Sequence, residues 1–181
     1  SDDIADIRRR LIANDDTLTK INLDREVISD EDVRMVADSL YHNDTLTHLT
    51  LNINKIGVMG AKALANCICY NQTLTTLELG NNNIGNEGGM ALADALCGNA
   101  TLTHLNLWRN NIDDAGAKAL ANCIRHNETI TKLDMCENNI GDEGAMALAD
   151  ALCGNATLAH LDLWGNNIGV AGAKALANCI C

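Results

Sequence analysis

The sequence has no proline and no phenylalanine, and its aromatic content is limited to two tryptophans and two tyrosines. Without phenylalanine, leucine, isoleucine and alanine must supply the bulk of any hydrophobic core. The absence of proline excludes a proline-rich linker or stalk. No apolar run approaches the roughly 20 residues that a membrane-spanning helix needs, so we expect no membrane partner. The N-terminal segment SDDIADIRRR has none of the apolar character of a signal peptide.

Basic side chains are also scarce, because 13 Lys and Arg residues face 24 Asp and Glu residues, for a net charge of −11. A nucleic-acid phosphate backbone is bound by a basic surface, and this acidic chain offers none. The charge therefore predicts that nucleic acid is not a partner.

The sequence is rich in internal repeats. From residue 17 it divides into blocks of 28 residues, followed by a shorter block over 157–181. Each block opens on the pattern Leu-x-x-Leu-x-Leu-x-x-Asn-x-Ile, seen most clearly in Leu102, Leu105, Leu107, Asn110 and Ile112. Alternation in the first half predicts a short strand, and apolar spacing in the second half predicts a helix.

This pattern resembles the leucine-rich repeat family, and the block length is similar to that of its ribonuclease-inhibitor-like subclass. The resemblance implies an α/β fold, a right-handed solenoid with parallel strands on the concave face and helices on the convex face. It implies a capping helix, or half repeat, over 1–16 and six repeats of 28 residues over 17–181, the last one truncated. It also implies that Asn110 and its equivalents satisfy backbone groups of neighbouring loops.

The two ends of the chain differ. Ile4, Ile7 and Leu11 predict an amphipathic helix over 2–13 that covers the first repeat, with Arg8, Arg9 and Arg10 facing water. No comparable segment covers the last repeat, so we expect further repeats or a partner there. We predict a monomer whose uncovered C-terminal end is the surface for any self-association.

Asparagine recurs where each helix is predicted to end, at Asn43, Asn71, Asn99, Asn127 and Asn155. Asparagine tolerates the left-handed conformation that ends many helices, which predicts a C-cap role. Each of these residues also begins an Asn-x-Thr glycosylation signal. Because the repeat itself generates the spacing of these signals, a structural origin is favoured over glycosylation.

The eight cysteines are predicted to be reduced. Packed helices lie about 8–10 Å apart, whereas a disulfide needs Cα atoms within about 7 Å. Reduced cysteines indicate a cytoplasmic location, or the host cytosol if the chain is a delivered effector.

No pattern in the sequence predicts catalysis, a cofactor or a metal site. The glycine-rich segments lack the Lys-Ser/Thr of a phosphate-binding loop. His48, His104 and His160 share one column, but alternate repeats lie about 10 Å apart, too far for one metal ion. We therefore predict that the protein is not an enzyme.

Differences between repeats predict where a partner binds. Residues 73–100 and 129–156 are identical at 20 of 28 positions, and their helical halves hardly differ. Half of the eight differences lie at outward-facing strand positions or directly after them, namely Thr76/Lys132, Glu78/Asp134, Gly80/Cys136 and Asn81/Glu137. Divergence concentrated on this face is expected if each repeat contacts a different part of a partner.

Both tryptophans fall in one outward-facing column, on either side of Cys136. Exposed tryptophan and arginine are typical of binding hot spots. The predicted partner-binding residues are Glu78, His104, Trp108, Arg109, Lys132, Asp134, Cys136, Glu137, His160, Asp162 and Trp164. A competing interpretation is that the tryptophans pack over their neighbours and stabilise the solenoid.

The sequence therefore predicts a non-enzymatic protein–protein interaction module that binds a protein or peptide partner on its concave face. The resemblance leaves open a regulator of small GTPases, an actin-capping protein, and a secreted bacterial effector that uses the same surface.

Overall fold

The computed structural model describes the backbone of residues 3–180 and the side chains of residues 3–179. Strands and helices alternate along this part of the chain. The strands are β1 (Lys20–Asn22), β2 (His48–Thr50), β3 (Thr76–Glu78), β4 (His104–Asn106), β5 (Lys132–Asp134) and β6 (His160–Asp162). The helices are α1 (Ile4–Ile12), α2 (Asp30–Leu40), α3 (Val58–Ile68), α4 (Gly85–Gly98), α5 (Asp114–Ile124), α6 (Asp142–Cys153) and α7 (Val170–Ile180).

The strands form one parallel sheet in chain order. Each strand residue pairs with the residue 28 positions later, from Lys20 with His48 to Asp134 with Asp162. Paired strands lie about 4.8 Å apart, whereas packed helices need about 8–10 Å. The helical layer is therefore the longer one, and the array curves with the sheet inside, which confirms an α/β leucine-rich repeat solenoid.

The middle residue of each strand points into the core between the sheet and the helices. Leu49, Leu77, Leu105 and Leu133 are at most 1% exposed. Leu161 in β6 is only partly buried, because no strand of the described chain lies beyond it. Leucine, isoleucine and alanine dominate this core, as the composition predicts.

A ladder of asparagine side chains supports the turn after each strand. Asn110 is fully buried. Its Nδ2 donates to the Leu79 carbonyl at 2.9 Å, and its Oδ1 accepts from the Ile84 N–H at 3.3 Å. Asn54, Asn82, Asn138 and Asn166 bond in the same way. This confirms the role that the family resemblance implies.

A second asparagine ladder lies at the other end of each repeat, where the sequence predicts left-handed helix caps. That prediction is wrong, because none of these asparagines is among the residues with positive φ. Instead, Asn71 is 4% exposed, donates to the Leu40 carbonyl at 2.9 Å and accepts from the Leu74 N–H at 2.8 Å. A glycan on such an amide would break a buried bond, which supports the structural explanation of the glycosylation signals.

Helix α1 packs on the first repeat. Ile7 and Leu11 are each 1% exposed, and the Asp3 side chain caps the N-terminus. The predicted helix start at residue 2 lies outside the described residues. Arg8 does not simply face water, because its Nε donates to the Met35 carbonyl at 3.2 Å and so joins α1 to α2.

The described cysteines are free thiols, and the side chains of two pairs on adjacent helices interact. Burial, followed by a hydrogen bond with Cys97, raises the pKa of the Cys123 thiol. A hydrogen bond with Cys153, followed by burial, raises the pKa of the Cys179 thiol to about 11. These interactions do not change the prediction of reduced cysteines, since the described cysteines are free.

Candidate protein interface

We call one surface the sheet face. It consists of the outward-facing side chains of the strands and, after each strand, of the two residues that follow the next buried residue. It carries all of the residues predicted to bind a partner, with Glu78 on β3 and the others on or directly after β4, β5 and β6. Residues at the same position of successive repeats form columns on this face. The first two columns lie within the strands, and the third and fourth lie beyond the strand ends. Column three is Asp24, Asn52, Gly80, Trp108, Cys136 and Trp164, and column four is Arg25, Ile53, Asn81, Arg109, Glu137 and Gly165.

The backbone N–H groups of column three donate to side-chain oxygens. Asp134 Oδ1 accepts from the Cys136 N–H at 3.0 Å, and Asp162 Oδ1 accepts from the Trp164 N–H at 2.9 Å. In repeats without Asp or Asn at the strand end, the previous repeat supplies the oxygen, as Asn52 Oδ1 does for Gly80 at 2.7 Å. One oxygen of each aspartate therefore has a structural role, which sequence reasoning missed.

Column four turns the chain in the left-handed conformation. Arg109 has φ 52° and Glu137 has φ 49°, and Gly165 at the same position has φ 72°. The N–H of Arg109 donates to the Cys136 carbonyl at 2.9 Å, so the turn also ties adjacent repeats together. Glycine and asparagine favour this conformation, and Asn81 and Gly165 in this column were the signal in the sequence.

The two tryptophans have different surroundings. Trp108 is partly buried, and its indole lies across Gly80, where a Cβ would be 1.9 Å from the Trp108 Nε1. Trp164 is 72% exposed. The residue equivalent to Gly80 in the repeat before Trp164 is Cys136, which carries the Cβ that Gly80 lacks. Packing over a neighbour therefore describes Trp108, and only Trp164 offers a largely free indole.

The ion pairs among residues 3–179 all lie outside the sheet face, on the helices and near the N-terminus. In the first repeats, sheet-face carboxylates contact neighbouring groups instead. Asp24 accepts from the Asn52 N–H at 2.7 Å, and Glu78 accepts from the Asn106 Nδ2 at 2.7 Å. In the last two repeats, no hydrogen bond or ion pair of the described residues joins a charged sheet-face side chain to a neighbouring repeat.

Asp134, Cys136 and Asp162 lie together, with one ligand atom of each within 4.8 Å of the other two. Within the described residues, this group has the donor atoms of a metal site. Burial and, after it, the hydrogen bond to Asp134 raise the pKa of the Cys136 thiol to about 12. The thiol therefore keeps its proton at neutral pH and is a poor nucleophile.

Sequence reasoning missed a second exposed feature, on the helical side. The rings of Tyr41 and Tyr70 contact each other at a tilt of 40°, with centroids 4.7 Å apart, and Tyr70 is 61% exposed. Tyr41 and the exposed Met59 line a shallow groove of about 400 Å³ between α2 and α3.

In the described part of the chain, no helix is both long and apolar enough to cross a membrane.

The fold is similar to that of two solved structures. Leiomodin-1 actin-binding site 2 matches with a TM-score of 0.59 and 20% identity, covering 99% of this chain and 91% of that one. The tropomodulin C-terminal domain of Caenorhabditis elegans matches with a TM-score of 0.62 and 14% identity, covering 98% and 91%. At such identities the likeness shows the fold alone. No curated protein sequence matches the chain.

The sequence model described as "Leucine Rich repeat" matches residues 42–65, 70–93, 98–121, 126–149 and 154–177. These segments cover more than half of the sequence, and each spans the end of one repeat and most of the next. The chain belongs to the leucine-rich repeat family.

Proposed function

We propose that this protein is a non-enzymatic interaction module that binds a partner protein on its sheet face, with Trp164 at the centre of the contact. The observation that carries the proposal is the 72% exposure of this tryptophan. Burying such a side chain in an interface contributes about 2 kcal/mol or more. The family and the unpaired charges around Trp164 support a protein partner.

The finer classification belongs to the same proposal. The pairing of residues 28 positions apart and family matches that begin at 42, 70, 98, 126 and 154 support six ribonuclease-inhibitor-like repeats over 17–181. Helix α1 supports a cap within residues 1–16, and the free thiols support a cytoplasmic location.

Actin is a second candidate partner. The leiomodin-1 structure is that of an actin-binding site, and the fold likeness extends over nearly the whole chain. A regulator of small GTPases and a bacterial effector gain no specific support from the structure.

The test compares the parent with two matched variants. Trp164→Asn removes the exposed indole at a position where repeat two already has Asn52, so folding is retained. Tyr70→Asn removes a similarly exposed aromatic ring from the helical side. Proteins captured from a eukaryotic lysate are quantified by mass spectrometry, and purified monomeric actin is titrated separately.

We expect Trp164→Asn to lower capture of specific partners at least tenfold, while Tyr70→Asn leaves it within twofold of the parent. Equal capture by the parent and Trp164→Asn would rule out the sheet face. Actin binding that is lost only in Trp164→Asn would identify actin as the partner.

A further inference from the structure

We propose that the end of the sheet face formed by β5, β6 and the residues after them binds a basic segment of the partner, with one Lys or Arg side chain between Asp134 and Asp162. This inference rests on the proposed function and specifies the chemistry of the partner.

The two carboxylates are directly opposite each other. Asp134 and Asp162 are register partners in adjacent strands, and a ligand oxygen of one lies within 4.8 Å of a ligand oxygen of the other. Like charges at such positions repel. A nitrogen cation makes charged hydrogen bonds of about 2.8 Å, so it can reach both oxygens whenever they are closer than about 5.6 Å. One Lys or Arg nitrogen therefore fits between them and relieves the repulsion.

The carboxylates near the ends of β5 and β6 have no ion-pair partner among the described residues. Glu137 adds a third carboxylate directly after Cys136, and none of the three acids forms an ion pair among the described residues. Lys132 and His160 lie two residues before the aspartates, about 6.6 Å along the strands. Arg109 belongs to the repeat before Glu137. Three carboxylates thus face two Lys or Arg side chains in this part of the sheet face, and no ion pair joins them.

The aspartates are also held in place. Each has one oxygen bonded to a backbone N–H, at 3.0 Å for Asp134 and 2.9 Å for Asp162. A fixed carboxylate loses little side-chain entropy when it binds a cation. The equivalent acids in earlier repeats, Asp24 and Glu78, contact groups of the neighbouring repeat. Asp134 also accepts from the Cys136 thiol, but neither Asp134 nor Asp162 bonds to a side chain of a neighbouring repeat among the described hydrogen bonds, so both keep acceptor capacity.

Trp164 completes the site. It follows Asp162 by two residues on the same face, and it is 72% exposed. An indole face attracts Lys and Arg cations and packs well against their aliphatic stems. An acidic pair beside a free indole thus matches a basic side chain in both charge and shape.

A metal ion is the competing occupant, since Cys136 offers a third ligand atom. A metal would use the two carboxylates and the thiol but leave the exposed indole without a contact, whereas a basic side chain uses both the carboxylates and the indole. The observations therefore favour an organic cation.

The experiment is a selection of phage-displayed random 12-residue peptides on the parent and on Asp134→Asn/Asp162→Asn. Asparagine keeps the backbone hydrogen bond, as Asn106 shows in repeat four with a 2.9 Å contact, so only charge is removed. Asp44→Asn/Asp94→Asn removes the same charge from exposed positions elsewhere and is the matched control.

We expect parent-selected peptides to be enriched in Lys or Arg at one aligned position. Their affinity should fall at least tenfold in the site variant and less than twofold in the control. Selected peptides that depend on Trp164 but show no basic enrichment would overturn this inference and leave the proposed function standing. Absence of any Trp164-dependent peptide would count against both.

Metal binding is tested with ZnCl2 alone. Amide shifts of Asp134, Cys136 and Asp162 at micromolar zinc, absent in Cys136→Ser, would identify a metal site and overturn the inference. Unchanged spectra would support an organic cation.

Discussion

Trp108 and Trp164 occupy equivalent positions in two repeats, yet one is partly buried and the other is 72% exposed. Two features of their surroundings differ. Gly80 leaves room for the Trp108 indole, whereas the equivalent residue before Trp164 is Cys136, and no strand of the described chain follows β6. We expect the small residue to determine whether the tryptophan stabilises the solenoid or remains free to bind.

The sheet face as a whole follows the same division. In the first repeats, Asp24 and Glu78 each bond to the neighbouring repeat. In the last repeats, Asp134 and Asp162 bond only to groups within their own turns. The carboxylates of the first half therefore join adjacent repeats, and those of the last half keep acceptor capacity for a partner.

The largest predicted effect separates the two tryptophans. Trp108→Ala should lower the free energy of unfolding by about 2 kcal/mol, because it removes a packed indole and leaves a void above Gly80. Trp164→Ala should lower it by less than about 0.5 kcal/mol, as expected for an exposed site. Urea denaturation followed by circular dichroism measures both, and equal losses would contradict the comparison.

The next prediction concerns the glycine beneath Trp108. Gly80→Ala places a Cβ where the indole now lies, so the indole must move, at a cost of about 1–2 kcal/mol. The cost should largely vanish when Trp108 is already alanine, since the two effects share one contact. Gly98→Ala is the control because its Cβ would meet nothing within 4 Å. A full cost in the Trp108→Ala background would show that the clash lies elsewhere.

Much of this architecture is predictable from sequence. The strand and helix of each repeat follow from the alternation at Leu105 and Leu107 and from helical spacing after it. Asn110 follows from the family resemblance. These features recur in nearly every repeat, with Glu26 in place of the asparagine in the first, so errors at one position are corrected by the others.

The remainder depends on contacts between repeats, which a repeat pattern does not encode. The contact of Trp108 with Gly80 joins residues 28 positions apart, and so does the hydrogen bond of Asn106 with Glu78. The buried role of Asn71 was mistaken for a helix cap because both explanations favour asparagine. Only the three-dimensional contacts distinguish them.

Replacing Cys136 by glycine should give Trp164 the kind of surroundings that Trp108 has. In Cys136→Gly, the Trp164 indole can lie down over repeat five as Trp108 does over repeat three, so its exposure should fall. The measurement is solvent accessibility of 5-fluorotryptophan by ¹⁹F NMR, with the two resonances assigned through Trp164→Phe. An unchanged Trp164 signal would mean that the lack of a following strand, rather than Cys136, keeps the indole exposed.

The smallest predicted effects compare two carboxylates. Asp15 is hydrogen-bonded by neighbouring side chains, whereas Asp162 forms no ion pair among the described residues. A hydrogen bond from Thr17, followed by one from Arg10, lowers the pKa of Asp15 from 3.8 to about 2. Because the folded-state pKa is the lower one, Asp15 stabilises the fold above about pH 4, and this contribution is lost as pH falls through 2. Asp15→Asn should therefore be less stable than the parent at pH 7 and equal to it below pH 2.

Asp162→Asn should show the opposite sign at pH 7. It keeps the bond to the Trp164 N–H and removes the repulsion from Asp134, so the free energy of unfolding should rise by about 0.3 kcal/mol. Urea denaturation of both variants across pH 2–7 measures the two signs in one series. If Asp162→Asn is instead destabilised at neutral pH, then its carboxylate is already satisfied within the chain. The last repeats would then be as self-contained as the first, and an unpaired acidic face could no longer explain partner binding.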